Sequence, residues 1–192
     1  MSEAAEPQDI LDFWFGPREE RGASRREWFR KDEAFDQRLR ERFGALHAAA
    51  ASGERDGWRA ECQPMLALVI VLDQFSRNLY RDDARAFAQD AHALACSREA
   101  LARGDDRLLL PVERQFLYMP FEHSEDLADQ DRCVELMGAL EAYPQTRGLV
   151  EWAHKHRDII RRFGRFPHRN VALGRTSTSE EREFLQQPGS SF

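Results

Sequence analysis

The sequence predicts an all-α fold of eight or nine antiparallel helices, and three observations carry that reading. Apolar residues recur at three- and four-residue intervals, as in Phe35, Leu39, Phe43 and Leu46, the spacing of one helix face. No stretch alternates apolar and polar residues with the period of two that marks a half-buried strand. Prolines, glycines and capping residues divide the chain into helix-length pieces joined by short turns. With 192 residues, 42% hydrophobic and 32% charged, the chain can bury one substantial core and reads as a single domain over residues 1–192.

Pro7 sits at a first helical turn, and Ile10, Leu11, Phe13, Trp14 and Phe15 follow before Gly16-Pro17 ends the segment. Ser24 and Glu27 have the spacing of a capping box ahead of Trp28 and Phe29. The Phe35–Leu46 stripe runs out at Gly53. Pro64 opens a helix that holds the apolar run MLALVIVL (65–72) and continues to about Phe75. Phe87, Ala91, Leu94 and Leu101 mark the next, closed by Gly104. Pro111 starts another, which should break or kink at Pro120 because proline removes a backbone donor. Ser124 reads as the cap of a helix with early acids, Glu125 and Asp126, and apolar positions Leu127, Val134, Met137 and Leu140. Val150, Trp152, Ile159, Ile160 and Phe163 belong to a helix stopped by Gly164. Thr178 and Glu181 form a capping box for a last short helix ending before Pro188-Gly189.

Composition excludes several classes. A net charge of -6 lacks the basic footprint of a nucleic-acid binder. The start, MSEAAEPQDI, has neither the basic nor the apolar segment of a secretory leader, and no apolar run approaches a membrane span. Cys62, Cys96 and Cys133 are spread singly, which suits reduced thiols in a cytoplasmic protein. There is no GxSxG elbow, Walker loop or GxGxxG, so no cofactor is implied. Glu151 and His154 make one ExxH without the second that a di-iron bundle needs, and His154 and His156 point apart on a helix. No metal site is expected.

Three polar clusters remain. Residues 161 to 175 hold five arginines (161, 162, 165, 169 and 175) and no acid, whereas residues 122 to 131 hold five acids and no lysine or arginine. Guanidinium forks match carboxylates or phosphates, so these arginines meet either the chain's own acids or an anionic ligand. ERQFLYMPFEHSED (113–126) places Glu122, His123 and Glu125 at a helix end, a set able to supply a general acid and base or merely to cap the next helix. LDQFSRNLYRDD (72–83) puts Asp73, Arg77, Asn78 and Arg81 where the chain leaves its most apolar run. Asp73 and Arg77 have the i,i+4 spacing of an ion pair, and Asn78 suits a left-handed helix end. The segment QFSRN (74–78) is echoed by RFPHRN (165–170), and the cysteines fall 34 and 37 residues apart, near a tetratricopeptide period. Repeat and coincidence both account for these spacings.

LDFWFG, LDQFSRN, AFAQDAHALA, ERQFLYMPFEHSED and RFGRFPHRNVALGR, in that order between Ile10 and Phe184, together resemble a bacterial family of unknown function in the tetratricopeptide-like superfamily. The resemblance implies a tetratricopeptide-like array of antiparallel helices in a right-handed superhelix. Ser76 stands where the family more often has proline, a departure that should relax the turn there. The family's motif positions are rich in Asp73, Arg77, Asn78, Glu113, Arg114, Glu122, His123, Glu125, His168, Arg169 and Asn170, polar residues unlike the small packing residues of a scaffold repeat. The expectation is therefore a cleft for an anionic small molecule or an acidic peptide end. Arg77, Arg114 and Arg169 would clamp the anion, and Asn78 and Asn170 would orient it. Asp73, Arg81, Glu113 and Glu125 complete the ligand-binding set, and Glu122, His123 and His168 would supply acid–base chemistry in an enzyme. A protein-interaction module with purely structural polar motifs is the rival reading.

Overall fold

The computed structural model describes residues 5–191, and among them there is no strand. Helices α1 (Pro7–Phe15) and α2 (Glu33–Ala51) precede α3 (Cys62–Ile70), which runs through a π-helical turn, Val71–Phe75, directly into α4 (Ser76–Leu79). Then come α5 (Asp90–Arg103), α6 (Pro111–Glu122), α7 (Leu127–Gly138), α8 (Leu149–Phe163) and α9 (Ser179–Leu185). Counting the rod from α3 to α4 as one helix gives eight among the described residues, within the eight or nine that the apolar periodicity and the breakers predict.

The apolar run lies at the centre. Met65 to Leu72 are all buried, because α3 is covered by α1, α5 and α6; a helix wrapped on every side needs no polar face. Next to it the rings of Phe13, Trp14, Phe15, Trp28, Phe35, Phe43, Phe75 and Phe116 pack edge-to-face and tilted, Trp28 to Phe116 at 4.8 Å and Trp14 to Phe116 at 5.4 Å. Burying each such side chain is worth about 1.5–3 kcal/mol. The Trp28 indole also donates to the Trp14 carbonyl at 2.8 Å, which satisfies its polar edge inside the core. Helices α6 and α7, and then α7 and α8, pack in succession. Ile159, Ile160 and Phe166 form a smaller apolar cluster under the loop that follows α8.

Several local expectations hold. Pro7 and Pro111 occupy first turns, Gly104 and Gly164 close α5 and α8 at φ 77° and 68°, and Thr178 and Glu181 form the capping box of α9. Others are corrected. Ser24 caps nothing: residues 26–28 form one 3₁₀ turn, and Arg25 holds this segment to α1 by donating to the Phe13 and Trp14 carbonyls. Asp126, not Ser124, is the N-cap of α7, accepting from the Ala128 amide at 2.8 Å. Ser124 instead donates to Asp129. The helix does not break at Pro120; α6 continues to Glu122, held by its buried face. Asn78 lies inside α4, and among the described non-glycine residues positive φ falls on Asp82, at 62°. Trp152, Leu127 and Ala91 face outward, Trp152 with 49% exposure. The QFSRN and RFPHRN segments are no structural repeat, the first being helical and the second an extended stretch and a 3₁₀ turn.

The rod from α3 to α4 runs unbroken through Ser76. Its amide is present where proline would remove it, and its hydroxyl donates to the Leu72 carbonyl at 2.6 Å and meets His47 Nε2 at 2.7 Å. The segment is a continuous wide helix rather than a relaxed turn.

Candidate functional site

The π turn decides where Asp73 points. Carried on its wide coil, Asp73 is 0% exposed although it follows eight apolar residues. Its carboxylate accepts from Gln74 Nε2 at 2.6 Å, from Arg77 Nη1 at 3.1 Å and from His123 Nδ1 at 2.7 Å. Burial pushes the Asp73 carboxyl up, but Arg77 and His123 outweigh it and hold the group well below the usual carboxylate range. His123 is the residue at which α6 ends. Burial, followed by the adjacent Arg77 charge, lowers its pKa against the pull of Asp73, so the ring is neutral at neutral pH. Since an ionised carboxylate only accepts, the hydrogen lies on Nδ1 and the lone pair on Nε2.

Arg77 forms the outer layer. It donates to the Asp73 carbonyl at 2.9 Å and forks onto Asp90, Nη1 to Oδ1 at 3.0 Å and Nη2 to Oδ2 at 3.1 Å. Arg169, from the loop after α8, reaches the same carboxylate, Nη1 to Oδ2 at 3.1 Å. Its guanidinium is sandwiched between the Phe87 ring at 4.7 Å and the Phe166 ring at 4.5 Å, and Arg77 also faces Phe87 at 5.7 Å. Burial and the neighbouring Arg77 push the Arg169 pKa down to about 10, and its Nε is buried without a hydrogen-bond acceptor. The side chains of Arg77 and Asp90 are 21% and 19% exposed, whereas Arg169 is at 7%. The cluster is thus open at its Arg77–Asp90 edge.

Deeper still, Glu122 precedes His123 on α6 and is 6% exposed. Burial, then the Asp73 charge, pushes its pKa up to about 8, so it keeps its proton at neutral pH. Its Oε1 lies 3.3 Å from His156 Nδ1, which also meets the Trp152 carbonyl at 2.9 Å. Burial drives His156 down to about 3. His168 is down to about 4, through burial and then the Arg169 and Arg77 charges. The site therefore combines a neutral oriented imidazole, a protonated carboxylic acid, two arginines and the carboxyl groups of Asp73 and Asp90. Titratable groups driven in opposite directions are the pattern of an acid–base centre.

The structure brings together Asp73, Arg77, Glu122, His123, His168 and Arg169 from the predicted set, and it disperses the rest. Asn78 and Arg81 serve Asp36 on α2, at 2.7 Å from Asn78 and at 2.5 and 2.9 Å from Arg81, beside a depression of ≈ 360 Å³. Glu113 caps α6 by accepting from the Leu110 amide, and Arg114 donates to the Leu109 carbonyl and faces Tyr143. Glu125 and Asn170 are tied up by Arg175. Of the three arginines expected to form a clamp, Arg77 and Arg169 lie together on Asp90 and Arg114 does not join them, and neither asparagine shares the site. Asp90 and His156 escaped the sequence reading. Asp90 stands in AFAQDAHALA, where it reads as an ordinary acid in a first helical turn. His156 was visible only as half of a poor metal pair with His154. Among the described residues no three of His, Cys, Asp and Glu are grouped as a metal site, and no helix is long and apolar enough to cross a membrane.

Fold and site together define an all-helical protein with a self-neutralised cluster of ionisable side chains under its C-terminal loop. Residues 10–189 match the family model described as bacterial protein of unknown function (DUF924), and the chain belongs to that family. A solved structure with a similar chain is the protein of unknown function ATU0120 from Agrobacterium tumefaciens, 43% identical, with a TM-score of 0.82 over 94% of this chain and 96% of that one. No curated protein matches.

Proposed function

We infer that the chain binds an anionic small molecule at the Arg77–Asp90 edge and moves a proton on it through His123. The observation that carries this reading is the 2.7 Å contact between His123 Nδ1 and the fully buried Asp73 carboxylate. A carboxylate on Nδ1 fixes the tautomer and ring plane and leaves Nε2 as the base. The π turn that presents Asp73 supports it independently, because such turns concentrate at functional sites. Protonated Glu122 is the matching acid. Burial holds the His123 pKa below its ordinary value and lifts that of Glu122 to about 8, which sets a bell-shaped rate profile: His123 is in its basic form above its lowered pKa, and Glu122 keeps its proton below about 8.

The succession of α5, α6, α7 and α8 supports a tetratricopeptide-like array as the fold-level reading, although α3, enclosed by its neighbours, is more deeply covered than a helix of an open solenoid. Three free thiols, with Cys62 and Cys96 pushed up to about 11 chiefly by burial, suit a reducing cytoplasm. The rival reading, an interaction module whose polar motifs are structural, draws on the fact that Arg77 and Asp90 already satisfy each other.

The deciding experiment incubates purified protein with pooled carboxylate and phosphate metabolites in D₂O and follows product formation and deuterium uptake by mass spectrometry. His123→Asn, folded by circular dichroism, should lower the rate by about 10²–10⁴-fold. A folded His123→Asn with the wild-type rate, or a wild type inert toward the whole pool, overturns the proton-transfer reading.

A further inference from the structure

The Asp90 carboxylate occupies its seat in the manner of a bound ligand. It receives three charge-assisted hydrogen bonds, two from the Arg77 fork and one from Arg169, the arrangement by which arginines take a free carboxylate. Both guanidiniums are held from elsewhere. Arg77 is anchored by the Asp73 side chain and carbonyl, and Arg169 by the rings of Phe87 and Phe166. Removing the Asp90 carboxylate would therefore leave a preformed pair of donors, with Arg169 Nε still lacking an acceptor.

Asp90 also has somewhere to go. It is the first residue of α5, its side chain is 19% exposed, and Gln89, which precedes it, offers no side-chain cap. A carboxylate rotated out of the seat would lie in water at the start of its own helix, a favourable position for negative charge.

Resting on the reading of the cluster as an anion site, we propose that Asp90 is a tethered stand-in for the substrate's carboxylate, which binds Arg77 and Arg169 by displacing it. The exchange conserves local charge: Arg77 and Arg169 are balanced by Asp73 and Asp90 before it and by Asp73 and the ligand afterwards. A monocarboxylate keeps that balance, whereas a phosphate dianion adds an uncompensated charge in a dry site. Arg77 and His123 share Asp73 Oδ1, at 3.1 and 2.7 Å, so a carboxylate seated on Arg77 brings the atoms next to it toward the imidazole. The tether also sets a threshold, since an incoming ligand competes with a carboxylate at high effective concentration. Wild-type protein thus binds simple carboxylates weakly, and a substrate needs further contacts to open the seat.

The test is chemical rescue on the full chain, with acetate as the probe and chloride and phosphate at matched ionic strength as controls. Asp90→Ala should melt below wild type and recover with acetate in a saturable rise of about 5 °C or more at 100 times Kd. Its apparent affinity should exceed that of wild type by at least about tenfold. Chloride should do nothing, phosphate should rescue less, and Asp90→Ala/Arg169→Met should lose the rise. Equal responses of wild type and Asp90→Ala, a chloride effect matching acetate, or a rise surviving Arg169→Met would each overturn the proposal. Should Asp90→Ala not fold, Asp90→Asn keeps the side-chain shape, and broadening of ¹³C-acetate resonances by that variant but not by wild type replaces the melting readout; no difference between them again overturns it. Every arm reads binding alone. Acetate rescue together with a wild type inert in D₂O would keep the seat and remove the proton transfer, whereas failed rescue with active exchange would do the reverse.

Discussion

Arg175 and Arg169 lie six residues apart in one arginine-rich segment and meet opposite environments. Arg175 is saturated: it donates to Asn170 Oδ1 at 2.9 Å, to Glu125 at 2.7 and 3.0 Å and to the Phe166 carbonyl at 3.0 Å. Glu125 in turn accepts from the Phe166 amide at 2.8 Å. Arg165 closes a similar lock on Glu181, whose carboxyl falls to about 2 under Arg165 and the Thr178 amide. Arg169, more deeply buried, has one hydrogen-bonded acid and an idle Nε. Evenly matched charges fasten the loop onto the turn between α6 and α7 and onto α9, and the incompletely matched one faces the cluster. An arginine-rich stretch therefore divides by satisfaction, not by sequence, into saturated positions and an incompletely matched one.

Mutation should make that division measurable. The greatest loss is expected for Asp73→Ala, which strands Arg77 and His123 in the interior; urea unfolding should show a cost of about 4 kcal/mol. Arg175→Ala should come next, at about 2–3 kcal/mol, because it frees Glu125 and Asn170 at a half-buried loop junction. A cost for Arg175→Ala below that of Arg169→Met would invert the comparison.

The third expectation concerns pH. Between pH 4.5 and about 8 the folded state holds a proton on Glu122 that the unfolded chain releases, so this group lowers stability as pH rises through that window. His156, at about 3, and His168, at about 4, act in the opposite sense: the unfolded chain binds protons below 6.5 that the fold refuses, so stability falls as pH drops. Two opposing slopes place the melting maximum near pH 6.5, with a loss of about 2 kcal/mol by pH 8. Glu122→Gln should abolish the alkaline loss and leave the acidic one, which thermal melts in a buffer series will show. The least effect should come from Arg169→Met, about 1 kcal/mol, because the strained burial of its charge offsets the one hydrogen bond it makes.

The helices were legible because their signals are local: Pro7, Pro111, Gly104, Gly164 and the Thr178–Glu181 box act within a few residues of themselves. Misreadings arose where a cap motif met tertiary competition. Ser24 lost to Arg25, which carbonyls of α1 recruit, and Ser124 lost to Asp126, two residues further on. The cluster was half legible. Asp73, Arg77, Glu122, His123, His168 and Arg169 stand out by chemistry in their motifs, but their convergence depends on pairings such as Arg169 with Asp90, 79 residues apart. Asn78 and Arg81 show the converse. They share a motif with Arg77, yet a helix turns neighbours about 100° apart, and the two residues face Asp36 on α2 instead.

The wide turn at Val71–Phe75 has one more consequence. A π turn is a helix carrying one residue more than its lattice requires, a phase step between the rod before it and the rod after it. Upstream, the phase is dictated by apolar neighbours that tolerate oil alone; downstream, it must deliver Ser76 to His47 and Arg77 to Asp90. Deleting one residue from the turn would restore a regular helix and swing every later side chain by about 100°, with every later residue kept in order. Two otherwise incompatible angular registers share a single rod here, and the offset between them is what lets an acid stand at the end of an oily helix and face a histidine.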